Sequence, residues 1–357
     1  MRLTERVPNS APQNEDELEE RLSRPDEATR EALRSIDGDI LILGAGGKMG
    51  PTLARMARRA LDDIGAPRAG LSARRVIAVS RYSSATAAEL LQQHGIEVVR
   101  ADLSNPRAYA QVPRARNVVW MVGQKFGTTG DPVGTWTHNV AAAAFGAEHC
   151  DGARVVCFSS GNVYPKLPLT EGGSAEGDAM VPDGEYAASC IGRERMFESA
   201  SRRLGFPLVL YRLFYACDLR YGVVTDIALR LARGEPISLA TPAANVVWQG
   251  DANRLALRSL AVAECPALAV NVTGPIVSVR LIAEQLANVM GRDVRFADEQ
   301  PKTPAPVLLA NTTRLQSLLP FAGMTLDELC AHTAQWVSSG QPVLSKPTRF
   351  DVRDGKY

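Results

Sequence analysis

Residues 39–55 read DILILGAGGKMGPTLAR, and this stretch decides the fold. Its first part is a short apolar run that predicts a buried strand, and its second part has the apolar spacing of a helix. Gly44, Gly47 and Gly50 fit the pattern G-x-x-G-x-x-G at the junction. Because these residues lack Cβ atoms, the chain can turn tightly there, and its backbone N–H groups can approach a pyrophosphate at the helix N-terminus. The stretch therefore predicts a dinucleotide-binding turn.

Further apolar runs alternate with helical patterns along the chain. The runs RRVIAVSR, EVVRADL, VVWMVG, RVVCFSS and LVLYRLF predict strands, and helical stretches at 135–149 and 186–204 lie between the later ones. Continuous Val/Ile/Leu runs that alternate with helices are typical of a parallel sheet covered on both faces. The predicted fold class is therefore α/β, a Rossmann-type doubly wound parallel sheet with a smaller C-terminal substrate-binding lobe.

Changes in composition predict four segments. Residues 1–37 are charged and Pro-punctuated, which predicts an N-terminal arm that packs on its own domain or on a partner subunit. Residues 38–214 form the predicted dinucleotide-binding Rossmann domain. Residues 215–340 have shorter elements and Pro-rich connectors, and are interpreted mainly as the substrate-binding lobe, laid over the carboxyl edge of the sheet. Residues 341–357 are a charged C-terminal tail.

The composition excludes several classes of function. The 357 residues carry a net charge of +1, so no overall field favours nucleic acid or an anionic membrane. The N-terminus is polar and acidic, unlike a secretory signal, and no apolar run approaches the roughly 20 residues that span a bilayer. The six cysteines stand singly, and the four histidines have no metal-ligand spacing. We expect a soluble, reduced, cytoplasmic protein with a small-molecule substrate and no metal, and leave a homodimer open.

The ends of the second and third strands bear on the choice of dinucleotide. An acidic residue after the second strand would bind the ribose 2′-hydroxyl of NAD, but the chain has Ser80-Arg81 there. A hydroxyl and a guanidinium suit a 2′-phosphate, so NADP is favoured over NAD. An arginine stacked on adenine, compatible with either cofactor, is the alternative. Asp102 and Leu103 end the third strand, where they would meet the adenine ring.

The order of motifs resembles one enzyme family. The glycine motif is followed by HNVAAAAFGAEHC, FSSGNVY, EYAASCIGRERMFE, LYRLFY, WQGDA and VNVTGPIVSV. This order resembles the extended short-chain dehydrogenase/reductase family, also called the NAD-dependent epimerase/dehydratase family, over nearly the whole chain. The resemblance implies that Ser160 hydrogen-bonds the substrate oxygen, that Tyr186 transfers a proton, and that Asn139 helps to order the site.

The candidate residues fall into three groups. The catalytic candidates are Ser160, Tyr186, Cys190 and Asn139. The cofactor-binding candidates are Gly44, Gly46, Gly47, Lys48, Met49, Gly50, Ser80, Arg81, Asp102, Leu103, Val122, Gly123, Lys125 and Tyr186. The substrate-binding candidates are Tyr164 and Tyr215.

Cys190 is the most informative departure from the family pattern, because it replaces the lysine of Tyr-x-x-x-Lys. That lysine holds the nicotinamide ribose and lowers the pKa of the tyrosine. Moving a phenol pKa from near 10 to about 7 takes roughly 4 kcal/mol, which a neutral thiol cannot supply. Lys125, after the fourth strand, and Lys166, on the loop after Tyr164, are the two candidates to replace it. A nucleophilic role for Cys190 is disfavoured by its helix-interior position.

Two further departures bear on the substrate. Tyr215 replaces the Asn with which sugar-nucleotide members hold their substrate, and Ala244 or Asn245 stands where an Arg often clamps a nucleotide diphosphate. Their loss favours a small polar hydroxyl or carbonyl compound over a UDP- or dTDP-sugar. The leading interpretation is an NAD(P)-dependent oxidoreductase of the epimerase/dehydratase type. The alternative is a dinucleotide-binding sensor or assembly subunit without turnover.

Overall fold

A computed structural model describes residues 10–65, 73–297, 306–344 and 348. Its centre is a sheet of seven parallel strands, in the order β3-β2-β1-β4-β5-β6-β10. These strands are β1 Ile40–Leu43, β2 Val76–Ser80, β3 Glu97–Arg100, β4 Asn117–Trp120, β5 Arg154–Ser160, β6 Leu208–Leu213 and β10 Leu268–Val272. The short strands are β7 Ala216–Cys217, β8 Ala243–Asn245, β9 Val247–Trp248 and β11 Ile276–Ser278.

Helices cover both faces of the sheet, as the continuous apolar strands predict. The helices are α1 Glu15–Leu22, α2 Glu27–Arg34, α3 Gly50–Ile64, α4 Ala85–Gln93, α5 Pro132–Trp136, α6 Ala142–His149, α7 Gly184–Leu204, α8 Val223–Ala232, α9 Gln249–Ser259, α10 Val279–Met290, α11 Thr313–Leu318 and α12 Leu326–Ser338. Alternate residues of β1 separate two cores: Ile40 and Ile42 pack in the layer of α3 and α9, and Leu41 and Leu43 in that of α6 and α7. The predicted α/β fold class is confirmed.

A third apolar core holds the smaller lobe together. Helices α8, α10 and α12 pack on one another and on the short strands, and Leu18 and Leu22 of α1 join this core. The arm, as far as it is described, thus packs on its own chain. The seventh strand of the central sheet, β10, comes from the segment 215–340, so a boundary at 214 does not divide the chain cleanly. Most of the predicted tail lies outside the described residues.

Strand order places the candidate site. Strand β1 pairs with β2 on one side and with β4 on the other, so the direction of chain progression reverses beside β1. In open α/β sheets, ligands bind at the carboxyl ends of the strands next to this reversal. None of the helices in the described part of the chain is both long and apolar enough to cross a membrane.

Candidate functional site

The loop after β1 is shaped by a close approach of two backbones. Gly44 has a φ of +92°, and a Cβ atom there would lie 2.6 Å from the backbone nitrogen of Val122. Any larger residue would be strained in conformation and would collide with the loop after β4. The backbone N–H of Gly44 donates to the carbonyl of Val79 at 2.8 Å, which ties the turn to β2. Three strand ends therefore meet at this glycine.

A cleft of about 680 Å³ opens at these strand ends and brings many of the cofactor candidates together. The cofactor candidates from the sequence that line this cleft are Gly44, Gly46, Gly47, Ser80, Arg81, Asp102, Leu103, Val122, Gly123 and Lys125. Met49 does not line the cleft, since its side chain is buried in the core beside α3. Gly50 begins α3, where its backbone rather than a side chain faces the turn. The residues fit an elongated ligand that carries phosphate at the glycine loop.

The end of the cleft at Arg81 is basic. Arg81 also lines an adjoining cavity of about 630 Å³, together with Arg100 and Arg107, which sequence reasoning missed. All three side chains belong to exposed residues at the ends of neighbouring segments. The Asp102 carboxylate accepts hydrogen bonds from the Ser104 hydroxyl at 2.7 Å and from the Ser104 N–H at 3.0 Å. These bonds, the hydroxyl above all, hold the pKa of Asp102 below its usual range, so Asp102 is ionised.

Ser160 and Tyr186, the two residues to which the resemblance gave catalytic roles, are hydrogen-bonded to each other. Ser160 ends β5, and its Oγ accepts a hydrogen bond from the Asn162 N–H at 3.2 Å. Tyr186 lies in the first turn of α7, and its hydroxyl is hydrogen-bonded to Ser160 and to Cys190. Both Ser160 and Tyr186 are buried. Burial raises the pKa of Tyr186 well above its usual value, so the phenol is protonated and ready to donate.

Cys190 adds no charge to this pair. It is fully buried one turn after Tyr186, and its thiol contacts the tyrosine hydroxyl. Burial raises the pKa of the Cys190 thiol, which keeps it neutral. The position thus provides a small polar contact where the family pattern provides an ammonium.

Of the two candidate replacements, Lys125 approaches Tyr186. Its Nζ lies 5.9 Å from the centre of the Tyr186 ring, and its charge acts on Cys190. Burial of the ammonium lowers the pKa of Lys125, while its side chain still lines the cleft. Lys166 instead forms an ion pair with Asp183, with an Nζ–Oδ2 distance of 3.0 Å, at a partly exposed position. The sequence left this choice open, and the geometry favours Lys125.

Asn139 joins the loop after β4 to helix α7. It lies in a π-helical turn, Thr137–Ala141, and is fully buried. Its Oδ1 accepts from the Gln124 N–H at 2.7 Å and from Arg193 Nη2 at 2.7 Å. Its Nδ2 donates to the Gln124 carbonyl at 2.9 Å and to Ser189 Oγ at 2.8 Å. Asn139 therefore fixes Gln124, the residue next to Lys125.

Lys48 reaches from the glycine loop across to the smaller lobe. Its Nζ lies 3.4 Å from the centre of the Tyr221 ring. Burial lowers the pKa of Lys48 to about 7, against the opposing charge of Asp218 and with help from the nearby Lys125 and Arg220. The sequence placed Lys48 among the cofactor residues, but its contact with Tyr221 is set by packing between distant segments and has no local signal.

The substrate candidates have other partners. The Tyr164 hydroxyl is buried, donates to Asn271 Oδ1 at 2.9 Å and accepts from Arg212. It is thus committed within the protein, and the expected substrate contact of Tyr164 is not retained. Tyr215 is half-buried and packs against both the smaller lobe and the group around Tyr186. It borders the site through its ring.

Residues 244 and 245, which stand where the family often has a diphosphate-binding Arg, make contacts within the protein. Ala244 is completely buried in the smaller lobe. The Asn245 amide donates to the carbonyl of Gly274 at 3.1 Å and accepts from the N–H of Ala310 at 2.8 Å. These bonds hold β8 to neighbouring segments, so the Asn245 side chain serves the fold.

Comparison with known proteins identifies the fold. No protein-family model matches the chain, and no curated protein sequence matches it. The structure of MoeE5 in complex with UDP-glucose and NAD is 22% identical, with 84% of this chain and 99% of that one covered and a TM-score of 0.65. A UDP-galactose 4-epimerase is also 22% identical, with the same coverage and a TM-score of 0.63.

A third solved structure is UDP-N-acetylglucosamine 4-epimerase from Methanobrevibacter ruminantium M1, in complex with UDP-N-acetylmuramic acid. It is 17% identical, with 85% of this chain and 99% of that one covered and a TM-score of 0.67. At these identities the likeness concerns the fold. This chain therefore has the fold of these three structures.

Proposed function

We propose that this protein is a nicotinamide-dependent enzyme of the epimerase/dehydratase type. The observation that carries the proposal is the hydrogen-bonded pair of Ser160 and Tyr186, which Lys125 of the glycine-loop cleft approaches. When bound, the dinucleotide supplies hydride exchange at C4 of its nicotinamide. Ser160 orients and polarises the substrate oxygen, and the protonated Tyr186 transfers a proton to or from it.

NADP is the proposed dinucleotide. Arg81 lines the adenosine end of the cleft, and Arg100 and Arg107 surround the adjoining cavity. A 2′-phosphate there would meet guanidinium groups, which bind phosphate through paired, charge-assisted hydrogen bonds. The MoeE5 structures contain NAD, which makes NAD the competing choice.

For the substrate we propose a small polar hydroxyl or carbonyl compound. The Asn245 amide is committed to Gly274 and Ala310, and Ala244 is buried, so neither offers a contact to a diphosphate. The similar solved structures contain UDP-sugars, and they support a nucleotide sugar as the second candidate. A dinucleotide-binding sensor without turnover is the third, because Cys190 stands at the lysine position.

A ligand panel separates these candidates. Thermal unfolding of the NADP-bound protein is measured with free sugars, polyols, hydroxy acids and UDP-glucose, and the stabilising compounds are assayed for NADPH formation. Ligand at a hundred times its Kd adds about 2.7 kcal/mol, a visible shift. We expect a free hydroxyl compound to stabilise most and to be oxidised. Tyr186→Phe should lower its turnover by about 10²–10⁴-fold and leave NADPH binding nearly unchanged.

Three other results of the ligand panel would contradict parts of this proposal. The largest shift from UDP-glucose would replace the proposed substrate class with nucleotide sugars. Tight NADPH binding with no compound oxidised across the panel would favour the sensor. Full turnover by Tyr186→Phe would contradict proton transfer by this tyrosine.

A further inference from the structure

We propose that Lys125, on the loop after β4, supplies the positive charge that the family pattern places four residues after the tyrosine. The proposal rests on the proposed function and deepens it. It assigns the missing ammonium of the site to a different structural element, so that Cys190 is a consequence of the relocation and not a sign of lost catalysis.

The path of the chain lets Lys125 face both partners of such an ammonium. Strand β4, which precedes the loop, pairs directly with β5, which carries Ser160 at its end. The Lys125 Nζ lies 5.9 Å from the centre of the Tyr186 ring, and Lys125 is one of the residues that line the cleft. Lys125 thus lies both beside the ring of the proposed proton-transferring tyrosine and at the cleft in which we place the dinucleotide.

The loop that carries Lys125 is held at both peptide groups of the preceding residue, Gln124. Asn139 accepts from the Gln124 N–H and donates to the Gln124 carbonyl. Gly123 allows this close packing, since a Cβ atom there would lie 2.4 Å from Arg193 Nη2 and 2.9 Å from Asn139 Oδ1. A loop tied in this way places its next side chain reproducibly, as a catalytic position requires.

Burial raises the pKa of Tyr186, and the charge of Arg193 opposes that rise, so Arg193 is the other cation to consider. Arg193, also on α7, donates to Asn139 and to the Phe158 carbonyl at 2.9 Å, and it is buried. Cys190 and Ser160 are neutral contacts of the hydroxyl, and Lys48 lies beyond Lys125, against Tyr221. Within the described residues, Lys125 is therefore the cation that both lines the cleft and approaches the phenol.

An ammonium on Lys125 also explains why residue 190 has a small side chain. Cys190 is fully buried, and the charge of Lys125 acts on it. A lysine at 190 would bring a second ammonium into the same desolvated space, and like charges there would oppose each other. A thiol fills the position and leaves the single charge to Lys125.

The first test removes one ammonium at a time. Lys125→Met is compared with Lys166→Met, which removes the same charge from the exposed pair with Asp183. NADPH binding is measured by calorimetry, and ionisation of Tyr186 by tyrosinate absorbance against the matching Tyr186→Phe protein. We expect Lys125→Met to weaken NADPH binding about ten- to a hundredfold and to raise the Tyr186 midpoint by about one to three pH units or out of range. Lys166→Met should change neither.

The second test moves the charge back. Cys190→Lys should weaken NADPH binding in the unaltered protein and strengthen it in the Lys125→Met background, a reversal of sign that a merely structural Lys125 would not produce. If Cys190→Lys does not fold, ethylammonium is added to the Lys125→Ala variant. It should improve NADPH binding more than sodium chloride does at the same concentration.

Two results overturn the inference. Lys125→Met could match Lys166→Met in both measurements, which would assign the charge to Arg193. The second such result is that neither Cys190→Lys nor ethylammonium improves NADPH binding by variants that lack Lys125. Failure of the unaltered protein to bind NADPH is a different outcome, because it would refute the proposed function itself.

Discussion

The two ends of the cleft are built in opposite ways. At the end where we propose that adenosine binds, Arg81, Arg100 and Arg107 are exposed residues of separate segments. At the catalytic end, Asn139 and Tyr186 are buried and bonded to residues of other elements. An exposed arginine can change without disturbing its neighbours, whereas a change in a buried network leaves donors or acceptors without partners. Cofactor preference is thus easier to alter than the chemistry.

The largest effect that sharpens this contrast is expected at Arg81. Arg81→Ala should weaken NADPH binding about ten- to a hundredfold, because it removes a charge-assisted contact to the 2′-phosphate. NADH binding should change by less than about threefold, and unfolding temperature should not change, as the side chain is exposed. Calorimetric titration with both cofactors measures the difference.

A matched control is an exposed arginine that is not among the residues lining the two cavities described above. Arg195→Ala removes an exposed guanidinium of α7 that pairs only locally with Glu198 among its described ion pairs, and it should affect neither cofactor. Tighter binding of NADH than NADPH by the unaltered protein would refute NADP preference, whatever Arg81→Ala does.

A smaller, pH-dependent effect is expected at Lys48, which belongs to the glycine loop and contacts Tyr221. The pKa of Lys48 is lowered to about 7, so above that pH the side chain is mostly neutral in the free protein. A pyrophosphate at the glycine loop would favour the ammonium and raise this pKa, so binding takes up a proton. NADPH affinity should therefore fall as pH rises from 7, by up to about tenfold per pH unit.

Charged and aromatic residues surround Lys48 and act on its pKa. Asp218 opposes the lowering of its pKa, Arg220 and Lys125 add to it, and Tyr221 stacks on the ammonium. Calorimetry in buffers of different ionisation enthalpy counts the proton taken up. Lys48→Met should flatten the pH dependence, and an unchanged slope in that variant would assign the proton to another group.

The sequence could predict one end of the cleft better than the other. The glycine loop, Ser80, Arg81 and Asp102 follow directly from strand ends, and strand ends are readable from apolar runs. The clamp of Asn139 on Gln124 and the approach of Lys125 to Tyr186 join residues far apart in sequence, which no local pattern encodes. The family pattern supplied Ser160 and Tyr186. Tyr164 was a substrate candidate, but its hydroxyl is bonded to Asn271 and Arg212 through long-range packing that the sequence does not encode locally.

The smallest effect is expected at Cys190, although it marks the greatest departure from the family pattern. The thiol is neutral, because burial raises its pKa, so removing it removes no charge from the site. Cys190→Ala loses one weak contact with the Tyr186 hydroxyl and leaves a small cavity, for a cost of about 1 kcal/mol in stability. The Tyr186 hydroxyl keeps its bond to Ser160, so turnover should fall by less than about fivefold.

Cys190→Ser keeps a polar group of similar size and serves as the matched control. Thermal unfolding and turnover of the panel's oxidised compound check both variants. Loss of activity in Cys190→Ala with full activity in Cys190→Ser would show that the hydrogen bond to Tyr186, and not the charge of Lys125, sets the reactivity of the catalytic end.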